Sequence, residues 1–325
     1  MKAAVVYGPG QKPRFDDFPD PTPGEGELLI SVRASALSPL TKGRASGAHY
    51  SAEGIYPMVP GVDGVGVTAD GHRVYFAKPS PPHGAMAEKT IVPARQCIPL
   101  PAGISDITAA AIANPGMSAM AGLAVCAQLQ PGETVLINGA TGSAGRLAVQ
   151  VARHLGASKI IATGRDPVAL EELRALGASA VIPFDLKPEN SQGAEQFEAA
   201  LKPHCAQGID VVLDYLWGRS AEAIIVAIAR AAQEAASVRF IQVGSTSGGE
   251  ITLPAAALRS APIVLMGSGI GSVPMPRLFA SIKAVFDAFA SAGFTINTRP
   301  VPLSDVAHSW DDAGKARVVF LPSQS

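Results

Sequence analysis

Residues 133–157 pass from a short apolar strand through a glycine-rich turn into an amphipathic helix, and this stretch restricts the fold more than any other. Residues 134–137 are few and β-branched, as in a buried parallel strand, and residues 146–155 repeat apolar side chains at helical spacing. The first N–H groups of such a helix point outward and carry partial positive charge, which suits an anion. Gly142 and Gly145 lack a Cβ, so a diphosphate can approach the backbone at the first and the helix can pack on the strand at the second. The pattern Ala140-x-Gly142-x-x-Gly145 alone also fits a tight turn that binds nothing. Its flanking strand and helix, with a second strand at 159–163, predict a dinucleotide site lined by Thr141, Gly142, Ser143, Ala144 and Gly145.

That second strand predicts which dinucleotide. An NAD site places Asp or Glu at its end to accept hydrogen bonds from the ribose. Here Thr163 is followed by Gly164 and Arg165. Without a carboxylate, a 2′-phosphate can be accepted, and Arg165 offers it a bidentate, charge-assisted partner. NADPH is therefore expected over NADH. The competing readings are that Arg165 is a solvated loop cation and that Asp166 supplies the carboxylate.

Composition limits the remaining classes. With 325 residues, 47% hydrophobic and 16% charged, the chain has enough for two domains and a sizeable core. A formal net charge of −1 and no polybasic tail argue against a nucleic-acid partner. Residues 1–7 read directly into a strand without the apolar core of a signal peptide, and no apolar run reads as long enough to span a bilayer. A cytoplasmic protein with no membrane partner is expected. Cys97, Cys126 and Cys205 are odd in number and far apart, which suits neither a disulfide framework nor a structural zinc site, and the six histidines are scattered.

Up to about residue 122 the pattern is of short strands broken by Pro and Gly, at 3–7, 27–34, 64–68, 73–76, 85–92 and 97–100, followed by helices at 106–113 and 118–127. Beyond Pro131 strands and helices alternate, with strands at 135–137, 159–163, 180–183, 211–214, 239–243 and 263–266, which predicts a doubly wound parallel sheet. A helix at 278–292 and strands at 295–301 and 317–321 close the chain. Two more strands on a completed parallel sheet would need crossover helices that are not there, so the tail is expected to return to the first module. The expected α/β organisation is 1–122, first part of one domain; 123–275, nucleotide domain; 276–325, return to the first.

Several motifs in order resemble the medium-chain dehydrogenase/reductase superfamily, in its zinc-lacking, quinone-oxidoreductase-like branch. They are Pro60-Gly61-Val62-Asp63-Gly64-Val65-Gly66, Gly71-His72-Arg73-Val74, Gly84-Ala85-Met86-Ala87-Glu88, residues 131–145, and Asp210-Val211-Val212-Leu213-Asp214. The resemblance implies a GroES-like β-rich catalytic domain, a Rossmann domain with a cleft between them, NADPH, and a homodimer. Zinc-dependent relatives carry a Cys after the second strand, a Gly-His-Glu and a lobe of four Cys. Ser38, Gly61-Val62-Asp63 and no Cys cluster stand in those places, so no metal is expected. By the same resemblance Tyr215, between Asp214 and Leu216, approaches the adenine side, Val243, Gly244 and Ser245 the nicotinamide, and Gly267 and Ser268 the nicotinamide or the substrate.

Hydride transfer asks a protein for position, a dry site and a group to meet the developing oxyanion. The relatives' Ala-Leu-Asn-x-x-Asp loop reads Ala36-Leu37-Ser38-Pro39-Leu40-Thr41 here, so Ser38 and Thr41 can hydrogen-bond a substrate without taking up a proton. Tyr50 or solvent is the expected proton source. Ser118, after Pro115-Gly116, is either a helix N-cap or a nicotinamide contact. The expected activity is hydride transfer from NADPH to a quinone or to the activated C=C of an enone or enal, without zinc. The alternative is a non-catalytic NADPH-binding redox sensor or structural protein. A short-chain reductase is excluded, since no Tyr has Lys four residues on.

Overall fold

In the computed structural model residues 1–231, 237–312 and 314–322 are described, and the chain divides into two units, Met1–Asn114 with Thr295–Ser325 and Pro115–Phe294. The boundaries expected at 122/123 and 275/276 are thus displaced. The helix expected to open the returning tail belongs to the second unit. Its Leu278 packs with Ala121 and Val273, and its Val285 lies so close to Gly116 that a Cβ there would sit 2.8 Å away.

The first unit begins with the antiparallel pair β1 (Lys2–Val5) and β2 (Arg14–Asp17). β3 (Glu27–Ala36) leads into helix α1 (Pro39–Ser46). β4 (Asp63–Thr68), β5 (Arg73–Ala77), β6 (Lys89–Pro93) and β7 (Cys97–Pro99) follow. α1 was not foreseen, because a segment with Pro39 and Gly43 reads as loop. Pro39 stands in the first turn, where its missing N–H costs nothing, and Ser38 caps it. The strand expected at 85–92 begins only at Lys89; residues 85 and 86 bend, and Ala87 forms an isolated bridge with Ala3.

Helix α2 (Asp106–Met120) runs straight through Pro115 and continues as a π-helical turn, Ala121–Cys126, where two helices were expected. A proline inside a helix costs roughly 3 kcal/mol. The buried run Ala109, Ala110, Ala111, Ile112, Ala113 on one side and Ala119, Met120 on the other outweighs it. The sequence also shows no bilayer-length apolar run until this continuity is known: Asp106–Cys126 is long and apolar enough to cross a membrane by composition, yet 67% of that window is buried inside the protein.

In the second unit β8 (Thr134–Asn138) is followed by α3 (Ser143–His154) and β9 (Lys159–Gly164). One crossover helix was expected at Leu170 to Leu176. It is two short ones, α4 (Pro167–Glu171) and α5 (Leu173–Leu176), before β10 (Ala180–Pro183). Then come α6 (Gly193–Ala206), β11 (Val211–Asp214), α7 (Gly218–Ala231), β12 (Val238–Gln242), α8 (Ala255–Ser260), β13 (Ile263–Gly267) and α9 (Met275–Ala292). All six strands are parallel, in the order β10-β9-β8-β11-β12-β13. This is a Rossmann sheet, its strand order reversing between β8 and β11. Leu136, Ile161, Val212 and Phe240 pack on one face with Phe197, Leu201, Ile224 and Ile228 from α6 and α7. Val135 and Ile137, turned the other way by the period of two, are equally buried.

Back in the first unit, β14 (Thr298–Pro302) and β15 (Arg317–Leu321) form a parallel pair, and β15 lies antiparallel to β3. Trp310 and Phe320 are buried with Val5, Leu37 and Val301.

This sheet encloses ionisable groups. Asp63 and Arg317 are buried, and the Tyr75 hydroxyl donates to Asp63 Oδ2 at 2.9 Å. Asp63 Oδ1 and Arg317 Nε and Nη2 have no hydrogen-bond partner among the described residues. Burial pushes the Asp63 carboxyl up to about 6, against the pull of the Arg317 guanidinium and the Tyr75 hydroxyl. A carboxyl protonated more easily folded than unfolded contributes stability that is complete below about pH 4 and lost as pH rises through 6. Asp63→Asn abolishes that loss. Urea unfolding of both proteins should show the parent losing about 3 kcal/mol relative to the variant between pH 4 and pH 7; a difference that stays constant over this range would refute the assignment.

Candidate functional site

The predicted cofactor residues of the second unit come together at the carboxyl ends of its strands, where ligands of such sheets bind. At the end of β8, Gly139 has φ +85°, a left-handed conformation that favours glycine. The N–H groups of Gly139 and Ala140 both donate to the Thr163 carbonyl, at 3.1 and 2.9 Å, which binds the turn to β9. The two glycines of the motif then differ. A Cβ on Gly145 would lie 2.4 Å from the Gly139 carbonyl oxygen, so this glycine lets helix and strand pack. Gly142 has φ −74°, open to any residue, and its Cβ would meet nothing nearer than 4.0 Å. Neither backbone geometry nor internal packing requires glycine there.

Gly142 is also the N-cap of α3, so no side chain satisfies the helix's first N–H groups. Thr141, Ser143 and Ala144 are half-buried around it. Bare N–H groups, the helix dipole and an open approach fit the diphosphate of a dinucleotide.

At the end of β9, Gly164 is buried, and a Cβ would lie 3.0 Å from Thr141 Cγ2. Arg165 is exposed and forms no salt bridge among the described residues. Asp166 is drawn into the cap of α4: its Oδ1 accepts the N–H groups of Val168 and Ala169 at 3.0 and 3.1 Å. Thr163, expected among the cofactor residues, is fully buried, and its hydroxyl donates to Asn138 Oδ1 at 2.8 Å.

That bond belongs to a network the sequence reading missed. Asn138 Nδ2 donates to Asp214 Oδ1 at 2.8 Å and lies 2.9 Å from Ser220 Oγ. The Asp214 carboxylate also accepts the N–H groups of Leu216 and Trp217, which holds Trp217 at φ +59°. Burial raises the Asp214 carboxyl, and these backbone donors pull it back. The available signal was Asn138 itself, a polar residue closing an apolar strand.

Further along the rim, Tyr215 is half-buried, its hydroxyl 3.4 Å from Ser118 Oγ, and burial raises its phenol well above the usual range. Ser118 is no N-cap: it lies inside α2, and its hydroxyl donates to the Pro115 carbonyl at 2.9 Å. The N–H groups of Val243 and Gly244 donate to the Asp214 carbonyl at 2.8 and 3.2 Å. A Cβ on Gly244 would lie 2.7 Å from the Tyr215 carbonyl oxygen. Ser245 is exposed. Gly267 ends β13, and buried Ser268 donates its N–H to the Gln242 carbonyl at 2.8 Å.

In the first unit, Ser38 and Thr41 are buried helix-cap partners rather than loop residues. Ser38 Oγ accepts the Thr41 N–H, and the two hydroxyls are 3.0 Å apart. Tyr50 is 74% exposed, its ring 4.2 Å from that of His49; the structure does not bring it into hydrogen bonding with Ser38 or Thr41.

Comparison with known proteins matches residues 144–290 to the zinc-binding dehydrogenase family. A probable NADPH-dependent quinone reductase of Emericella nidulans is 28% identical over 95% of this chain and 96% of its own. The quinone oxidoreductase of Thermus thermophilus, solved alone and with NADPH, superposes with a TM-score of 0.80 at 25% identity, over 99% of this chain and 100% of that one. Residues 144–290 thus carry the family's nucleotide-binding part, and over nearly its whole length the chain is similar to quinone oxidoreductases of the medium-chain dehydrogenase/reductase fold. Phthioceranic/hydroxyphthioceranic acid synthase of Mycobacterium tuberculosis is 34% identical over 60% of this chain, a match that spans only 9% of the synthase.

The family name raises zinc, and the side chains do not fit it. No three His, Cys, Asp or Glu among the described residues form a group able to hold a metal. Cys97 and Cys205 are thiols that burial pushes up to about 11, so neither rests as a thiolate at neutral pH.

The unlike glycines can be tested without ligand. Gly145→Ala should lower the thermal midpoint by several degrees, since overpacking against backbone costs roughly 1–3 kcal/mol. Gly142→Ala should move it far less. Equal shifts in differential scanning calorimetry would contradict the division of roles.

Proposed function

We propose that this chain is an NADPH-dependent oxidoreductase that reduces a quinone, or the activated C=C of an enone or enal, without zinc. The observation that carries the reading is the open space above Gly142 at an uncapped helix N-terminus, next to the end of the neighbouring strand β9, where Gly164 and Arg165 stand. The quinone reductases among its relatives support it. Bound there, NADPH supplies a hydride, which with one proton turns a quinone into a hydroquinone.

The chain's own part is to hold and to position. Backbone N–H groups of residues 143–145 hold the diphosphate, and the Arg165 guanidinium holds the 2′-phosphate. The Asp166 carboxylate is turned to the α4 cap, where its Oδ1 accepts two backbone N–H groups. Tyr215, Val243, Gly244, Ser245, Gly267 and Ser268 form the remainder of the rim. Ser38 and Thr41 share one hydroxyl hydrogen between them and leave a second to hydrogen-bond a substrate oxygen. Neither can release a proton near neutral pH, so the proton comes from solvent or from exposed Tyr50. Small-molecule carbonyl compounds are the partners, and a cytoplasmic location accompanies this reading.

A homodimer completes it. β13 is the edge strand, with Val264 45% and Leu265 37% exposed, and pairing with a second copy would cover that apolar edge.

Calorimetric titration tests the coenzyme assignment. Arg165→Ala should weaken NADPH binding about tenfold and leave NADH binding within about twofold, since one charge-assisted phosphate contact is lost. Equal losses for both coenzymes would remove Arg165 from the phosphate site. Oxidation of NADPH followed against quinones and enones tests turnover, and binding with no turnover on any of them would favour the non-catalytic alternative.

A further inference from the structure

The first unit contains a cavity between the segment running from α1 to Val62 and the turn at residues 79–84. Ile55, Met58, Val59 and Pro60 give it an apolar wall. Three polar side chains interrupt that wall from the α1 side: Thr41, Arg44 and Glu53. His83 also lines it, its imidazole lowered from its ordinary value by burial. An apolar recess with a few converging polar groups is the form a small-molecule site takes.

The polar groups have a definite arrangement. Arg44 Nη2 donates to Glu53 Oε1 at 2.7 Å. The Arg44 side chain is 17% exposed and that of Glu53 45%, so the cation lies deeper and the anion nearer solvent. A guanidinium has five N–H donors, and Glu53 takes one. Donors therefore remain for an oxygen atom of a ligand, while the charges of Arg44 and Glu53 offset each other.

We propose that this cavity receives the hydride acceptor and that the Arg44–Glu53 pair is its charge filter, admitting uncharged carbonyl compounds and turning away carboxylates and sulfonates. This inference rests on the proposed oxidoreductase activity. A quinone or enone oxygen accepts from Arg44 and brings no charge into an apolar recess. An anion would have to shed its hydration there and lie beside the Glu53 carboxylate, which already offsets the charge of Arg44. Removing the acid without the base should turn the filter around, because the guanidinium would then stand alone.

The test compares 1,4-naphthoquinone with its 2-sulfonate as acceptors for NADPH, using the whole protein. The parent should give kcat/KM at least tenfold higher for the neutral quinone. Glu53→Gln should lower that ratio at least fivefold, Arg44→Gln should raise it, and the double variant, again without net charge, should return to within about threefold of the parent. If the pair only braces the loop, the single variants depress both acceptors together and the ratio does not move, which overturns the proposal. Should no variant reduce any acceptor, binding of 2-naphthamide and 2-naphthoate followed by saturation-transfer NMR separates the two ideas. A binding ratio that shifts in Glu53→Gln retains the filter and rejects the hydride-transfer reading; a ratio that does not shift rejects both.

Discussion

One amide ties together the end of the nucleotide-binding sheet where ligands of this fold collect. Asn138 stands at the last position of the central strand, and its side chain bonds to Thr163 on one neighbouring strand and to Asp214 on the other. All three residues are buried completely. A polar group left unpaired at such depth costs about 1–3 kcal/mol, so the network is stable only when every member is in place. Asp214 passes the constraint on, holding the following turn through the N–H groups of Leu216 and Trp217 and the β12 exit through its own carbonyl. The positions of the strand ends, and hence of the glycine turn, follow from these bonds.

The two units handle buried polarity in opposite ways. The second satisfies its buried carboxylate with several donors. The first keeps a carboxyl and a guanidinium inside a β-sheet with atoms on both lacking partners among the described residues, which makes the ionisation state of Asp63 part of its stability. The first unit also carries the substrate candidates and the cavity, consistent with unsatisfied polar groups clustering in a domain shaped by more than packing.

Much of this was legible in the residues. The alternation of apolar runs and helical stripes beyond Pro131 is a direct consequence of strands buried on both faces, so the six parallel strands were found within a residue or two. The glycine turn and Gly164-Arg165 carry their meaning locally. What was missed depends on distant partners. Helix α1 is held by a serine cap and a proline in its first turn, which in isolation suggest a loop. α2 passes Pro115 because burial on both sides of it overrides a local penalty. The domain boundary moved because α9 is amphipathic whichever unit it packs on. Asn138 and Asp214 were visible as polar residues ending apolar strands, but their being 76 positions apart and hydrogen-bonded is a fact of topology. The hydroxyl of Thr163, a residue the sequence places at the cofactor, bonds to Asn138, a partner 25 positions away.

The crowding of Gly164 by Thr141 bears on how such a chain can diverge. A lineage shifting its coenzyme by placing an acid at position 164 would set the first carbon of that side chain 3.0 Å from the threonine methyl, so that Thr141 has to give by a few tenths of an ångström. That threonine lies in the turn that both coenzymes would use, so a change at one strand end is felt at the other; packing couples the two positions in any such divergence.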